Sequence, residues 1–268
     1  MTLLKDLLAD LRAEGDQLSA VVSGLDADGW ATPTPAPGWS VATQVAHLVW
    51  TDEVAVHSAQ SASGDAAAAA AWEELVHGAA ADPEGFVDTG AHEIAALAPQ
   101  ALLARWGTAR VALSRALREV PAGTRMPWFG PPMSPSSMVT ARFMETWAHS
   151  LDVHEALGRE LPVTDRIKHV VFLGVRTRDF SFATRGLPVP AEELRVQVTA
   201  PSGETWAFGP VDAPQSVTGS ALDLARLVTQ RVHRGDTDLV AVGPDADRWL
   251  DVAQCFAGPP GEGRARRG

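Results

Sequence analysis

The chain has one cysteine and no tyrosine. A lone thiol, Cys255, cannot close a disulfide within the chain and leaves no CxxC motif for a structural zinc site. Without tyrosine, no phenol is present to carry a proton. Basic residues are scarce as well: 22 Lys and Arg against 33 Asp and Glu give a formal charge of −11. A polyanion binder needs a basic face, so nucleic acid is not an expected partner. The few arginines at the C-terminus, Arg264, Arg266 and Arg267, lie in a Gly/Pro-rich stretch that reads as a solvated tail. Long apolar runs are missing too. The alanine tract from Ala66 to Ala71 is too short to span a bilayer. The first seven residues are broken early by charge, unlike a signal peptide. Together with the cysteine usage, this predicts a cytoplasmic protein with no membrane partner.

What is present is a chain of 268 residues, 46% apolar and 21% charged, enough to form one large core or two smaller ones. Leucines and valines recur at helical spacing from Leu3 to Leu25. A Pro/Gly-rich connection over 33–38 follows, and Ser40 then caps a second helix of about 40–60. Residues 61–90, rich in Ala, Gly and Asp, read as a helix end and a loop region. Pro99 opens a third helix that runs to about Val120. The loop 121–132 carries Trp128 and Phe129. Ser134 and Pro135 open a fourth helix, and Gly158 ends it. Four helices in succession predict a four-helix bundle over 1–160. The pattern then changes. Residues 165–180 read as helix, 194–200 and 204–208 as a hairpin around Pro201-Ser202-Gly203, and 220–233 as helix. Strand 239–242 and helix 245–257 complete a small α+β domain over 161–258. Residues 259–268 read as a flexible tail, and Cys255 as a buried structural thiol.

Three residues stand out. Glu145 and His149 are four apart and share one helix face. His47 lies in the second helix among Val41, Val45, Leu48 and Val49, so it points toward the core. Brought together across a bundle, the three make a His-Glu-His set with open coordination positions, suited to zinc, iron, nickel or manganese. Buried Glu and His side chains need a partner in any case, because an isolated buried charge is costly. Spacing alone leaves the alternative open: a salt-bridged Glu-His pair with His47 as an unrelated core histidine. Asp152, three residues after His149, either orients it or is a solvated carboxylate. Asp52 reads as off-face, and His57 as too far along the helix to share an ion.

The segments Pro35-Ala36-Pro37-Gly38-Trp39-Ser40-Val41, Ala46-His47-Leu48, Glu145-Thr146-Trp147-Ala148-His149 to Asp152, and Ala156-Leu157-Gly158 resemble the DinB-like, mycothiol-dependent maleylpyruvate isomerase superfamily. The stretch Pro127–Ser134 resembles an actinobacterial subgroup of it. The resemblance spans the whole chain and implies a metal-binding bundle followed by a sterol-carrier-like α+β domain. It puts the metal ligands at His47, Glu145 and His149, implies a divalent ion, usually zinc, and often a thiol cosubstrate such as mycothiol. Trp39, Trp128 and Phe129 are then candidates to wall a cofactor pocket. An arginine of the second domain, Arg231 or Arg234, would assist an acidic substrate, or else is only a helix-terminal charge. The expected activity is a thiol transferase or isomerase acting on a small electrophile. A thiol-free metal hydrolase, lyase or cyclase and a non-catalytic metal protein are the alternatives.

Overall fold

The computed structural model describes residues 3–83 and 85–267. They divide into two compact units, 1–161 and 162–268. The first contains α1 (Leu3–Val22), α2 (Ala27–Ala31), α3 (Val41–Ala62), α4 (Ala66–Ala81), α5 (Phe86–Ala95), α6 (Pro99–Glu119) and α7 (Pro135–Ala156). The four long helices α1, α3, α6 and α7 form the expected bundle, in which α3 contacts both α6 and α7 and α1 contacts the same two. Their boundaries follow from local chemistry. Ser40 caps α3 by accepting from the Thr43 N–H at 3.3 Å. Ser134 caps α7 from the Ser137 N–H at 3.1 Å, with Pro135 in its first turn. At the other end of α7, Gly158 sits at φ 60, and the N–H groups of Gly158 and Arg159 return to the carbonyls of Glu155 and His154. That closes the helix with paired end carbonyls.

The region 61–90 departs from the sequence expectation. It is mostly helical, not loop. Alanine has the strongest helix propensity, and Asp65 caps the alanine run by accepting from the Ala68 N–H at 3.0 Å. The helices α4 and α5 pack on α3, which α6 and α7 also contact. The helix α3 is therefore covered on most sides, and Val45, Ala46, His47, Leu48 and Val49 are all buried. That burial turns a histidine in its middle into a core residue.

The second unit contains α8 (Lys168–Arg176), α9 (Arg178–Thr184), β1 (Leu194–Thr199), β2 (Thr205–Phe208), β3 (Gln215–Ser220), α10 (Ala221–Val228), β4 (Val240–Val242) and α11 (Pro244–Val252). The four strands lie in the order β2-β1-β3-β4, with β1 antiparallel to β2 and parallel to β3, and β3 antiparallel to β4. The hairpin is as expected, with Gly203 at φ 89 in its turn. The inner strand β3 was not expected, because Val217 is its only large apolar residue. Its inward Gln215 is held by Glu192 and by the N–H groups of Asp245 and Ala246. Two helices are shorter than their apolar periodicity predicts. The helix α10 stops at Val228 because Gln230 turns left-handed at φ 59. The helix α11 stops at Val252, and Cys255 then donates its N–H to the Val228 carbonyl at 2.9 Å. Cys255 is buried as expected, but in extended chain rather than in a helix. The end of the chain touches the second unit: the Arg267 N–H donates to Asp236 at 2.7 Å. Among the described residues, no helix is long and apolar enough to cross a membrane.

Candidate metal centre

The helices α3 and α7 run antiparallel, and three polar rungs cross between them. Gln44 meets His149, His47 meets Glu145, and Thr51 with Asp52 meets Arg142. Rising numbers on α3 pair with falling numbers on α7, and each step is about one helical turn. The three expected ligands are therefore brought together: one donor atom from each of His47, Glu145 and His149 lies within 4.8 Å of the others. Both histidines face the same carboxylate oxygen through Nε2, at 3.4 Å from His47 and 3.2 Å from His149.

These distances bear on whether an ion fits. Direct charge-assisted N–H···O contacts are typically about 2.7–2.9 Å. Ligand atoms bound tetrahedrally at roughly 2.0–2.1 Å from zinc stand about 3.3 Å apart. The observed spacings match the second geometry. Two neutral imidazoles and one carboxylate also form the donor set of an open site rather than a closed structural one. The residues present fit a divalent ion.

Electrostatics around the seam are uneven. Burial pushes the Glu145 carboxyl up, but the hydrogen bonds and charges that His149 and His47 supply when their Nε2 atoms are protonated outweigh it and hold the group well below its ordinary range. Asp52 behaves in the opposite way. Burial raises its pKa more than the Arg142 guanidinium lowers it. Arg142 donates to Asp52 at 3.0 Å and to the Thr51 hydroxyl at 2.5 Å, and that hydroxyl donates to the His47 carbonyl at 2.7 Å. The buried ion pair is thus tied to the backbone of one ligand.

The other expected residues are placed as follows. The Trp39 ring lies 5.7 Å from the His149 ring at 13° and 5.3 Å from the His47 ring, so it covers both imidazoles. Trp128 and Phe129 stack instead with Trp72 of α4, at 6.0 and 5.1 Å, and Phe129 reaches Phe86 of α5. Among the described residues neither makes a ring contact with His47 or His149. Asp152 is buried on α7, so it is not a solvated carboxylate. In the second unit Arg234 engages both Asp247 and Asp251, joining the Arg234–Asp236 turn to α11. Arg231 donates to the Thr229 carbonyl at 2.6 Å. Asp52, read from sequence as off-face, is instead a seam residue paired with Arg142. Sequence reasoning also missed Gln44, Thr51 and Arg142. Only the structure shows that Gln44, His47 and Thr51 on one helix face His149, Glu145 and Arg142 on the other.

A groove of about 760 Å³ opens between α1 and α6, lined by Lys5, Arg12, Arg110, Val111 and Arg118 among others. It touches Asp52 and Thr146 but none of the three ligands. Convergent donors rather than cavity size identify the site.

Fold and site define a class: helical-bundle proteins with a donor set between facing core helices that could hold a metal ion. Comparison with known sequences identifies the particular family. Residues 11–154 match the mycothiol maleylpyruvate isomerase N-terminal domain, and the chain belongs to that family. Uncharacterized proteins from two strains of Mycobacterium tuberculosis, CDC 1551 and H37Rv, are 53% identical to it over 257 residues, covering 96% of this chain and 97% of theirs. Crystal structures of the mycothiol-dependent maleylpyruvate isomerase and of a point mutant of it share the fold. Their TM-scores are 0.59 and 0.58 at 17% identity, over 92% of this chain and 98% of theirs.

Proposed function

We propose that this protein is a metal-dependent enzyme that uses a low-molecular-weight thiol of the mycothiol type to transfer sulfur to, or isomerise, a small electrophilic metabolite. The observation that carries this reading is the convergence of His47, Glu145 and His149 on one point of a buried seam. A divalent ion bound there, zinc first among the candidates, supplies a Lewis acid that favours the thiolate form of a thiol at neutral pH. The protein's own contribution is to hold two imidazole Nε2 atoms and one carboxylate oxygen on that point. Trp39 covers the imidazole rings and keeps water from that side of the site. Glu145 supplies the carboxylate oxygen that both Nε2 atoms face, at 3.4 Å from His47 and 3.2 Å from His149.

The sulfur is external in this reading. Cys255 is the only cysteine, and it is buried in the second unit. The family's name supports a thiol of the mycothiol class. Asp152, buried three residues from His149, is the proposed proton carrier or orienting acceptor. Arg231 or Arg234 is proposed to assist an acidic substrate; Arg234 engages two carboxylates and Arg231 the Thr229 carbonyl.

The test is to load the metal-free protein with zinc and follow thiol consumption against a panel of epoxides and enones, with mycothiol present or omitted. The reading expects turnover that needs both zinc and thiol and is lost in His47→Ala and His149→Ala. Zinc-dependent turnover without thiol would replace it with a hydrolase, lyase or cyclase. A protein that binds no divalent metal would end it.

A further inference from the structure

The polar contacts behind His149 fix more than its position. The Thr34 hydroxyl donates its single proton to the Trp39 carbonyl at 3.0 Å, since a carbonyl can only accept. Toward Gln44 the same hydroxyl therefore accepts, and it does so from Nε2 at 2.8 Å. With its amide nitrogen turned to Thr34, Gln44 presents Oε1 to His149 Nδ1. An amide oxygen has no proton to give, so Nδ1 must carry one. In the neutral form of the ring that is the only N–H, and the lone pair is left on Nε2, the atom that faces Glu145. Gln44, the central member of this chain of contacts, is fully buried.

His47 differs. Its Nδ1 is buried and has no hydrogen-bond partner among the described residues, so none of them selects its tautomer. The Trp39 carbonyl also takes the Thr34 N–H at 2.8 Å, and the Trp39 ring stacks on His149. The relay therefore begins and ends at the same residue.

We propose that Gln44, held by Thr34, is a positioning residue that presets His149 as the Nδ1–H tautomer, so that one of the two histidine ligands is ready for a metal before it arrives. The proposal rests on the metal reading above but can be tested apart from it. The first measurement is the tautomer of His149 in the metal-free protein, read by long-range 15N–1H correlation. A ring protonated at Nδ1 with a bare Nε2 is expected, and a proton on Nε2 overturns the proposal. The second is zinc affinity by competition with a chromophoric chelator. Removing an outer partner of a ligating histidine typically costs about 10–100-fold in affinity, and Gln44→Leu is expected in that range. Gln44→Glu keeps an acceptor at Nδ1 and is expected to restore binding. Thr34→Val releases the other end of the relay and is expected to weaken zinc binding less than Gln44→Leu. It replaces Gln44→Leu in the comparison if that variant fails to fold. Wild-type affinity in Gln44→Leu, or in Thr34→Val where that replaces it, overturns the proposal. If the wild type binds no zinc, the metal reading fails, and the tautomer measurement still decides the relay.

Discussion

Two groups of side chains in the first unit differ: the buried polar seam between α3 and α7, and the partly exposed aromatic cluster of Trp50, Trp72, Phe86, Trp128 and Phe129. From the sequence, His47, Glu145 and His149 of the seam were expected to hold a metal, and of the cluster only Trp128 and Phe129 were expected to wall a pocket. The seam assembled around His47, Glu145 and His149. The cluster assembled around Trp72 of α4 and Phe86 of α5, with Trp50 of α3 against Phe86 at 5.3 Å. The seam is built from residues a turn apart on two straight helices, so helical periodicity alone determines which side chains meet. The cluster joins a loop to two helices that had been read as loop. The difference teaches that spacing on a helix transfers to space, whereas nearness to a motif in a loop does not.

The comparison is broken most forcefully at the base of the seam. Arg142→Ala strands the Asp52 charge in the core and is expected to destabilise the protein by about 3–5 kcal/mol, read by urea or thermal unfolding. The paired change Arg142→Met with Asp52→Leu is expected to recover most of that loss, because a buried ion pair adds little net stability over apolar packing. On the other side of the comparison, Trp72→Ala empties the aromatic cluster and is expected to cost about 3 kcal/mol. It should leave zinc affinity unchanged, whereas Trp39→Ala should weaken it. Either result reversed would merge the two regions.

A smaller effect concerns acid. Burial holds the pKa of His154, on α7, below its ordinary 6.5, against an opposing hydrogen bond to the Ser150 carbonyl. A depressed histidine pKa means that the unfolded chain binds more protons below that value. The stability is therefore fully present above pH 6.5 and is lost as pH falls through the lower folded value. His154→Asn should flatten this acid limb of the stability curve. The smallest effect is expected in the second unit. Arg234→Ala removes an exposed ion-pair cluster and should cost less than about 1 kcal/mol, diminishing further at high salt.

Much of this was legible in the residues. Ser40, Ser134, Pro135 and Gly158 mark helix ends by their own chemistry, and the structure ends the helices there. His47, Glu145 and His149 were visible as candidate ligands, but only the structure shows that they share a point. Gln44 was hidden because glutamine in an apolar helix carries no signal of its own, and its role depends on Thr34, ten residues earlier. Arg142 was hidden because an arginine reads as surface until its carboxylate is found on another helix. The strand β3 escaped for a related reason: its inward Gln215 is balanced by partners on other elements, which no local pattern reveals. Helix length was overestimated at α10 and α11 because apolar periodicity continues past the point where the backbone turns.

The central claim is that the α3–α7 seam holds a divalent ion through two imidazoles and one carboxylate. X-ray absorption at the zinc edge of the loaded protein tests it most directly. The account predicts one zinc per chain with nitrogen and oxygen neighbours at about 2.0–2.1 Å, two of them imidazoles, and loss of the ion in Glu145→Ala combined with His47→Ala. A sulfur-dominated shell, or zinc retained in full by that double variant, would contradict it.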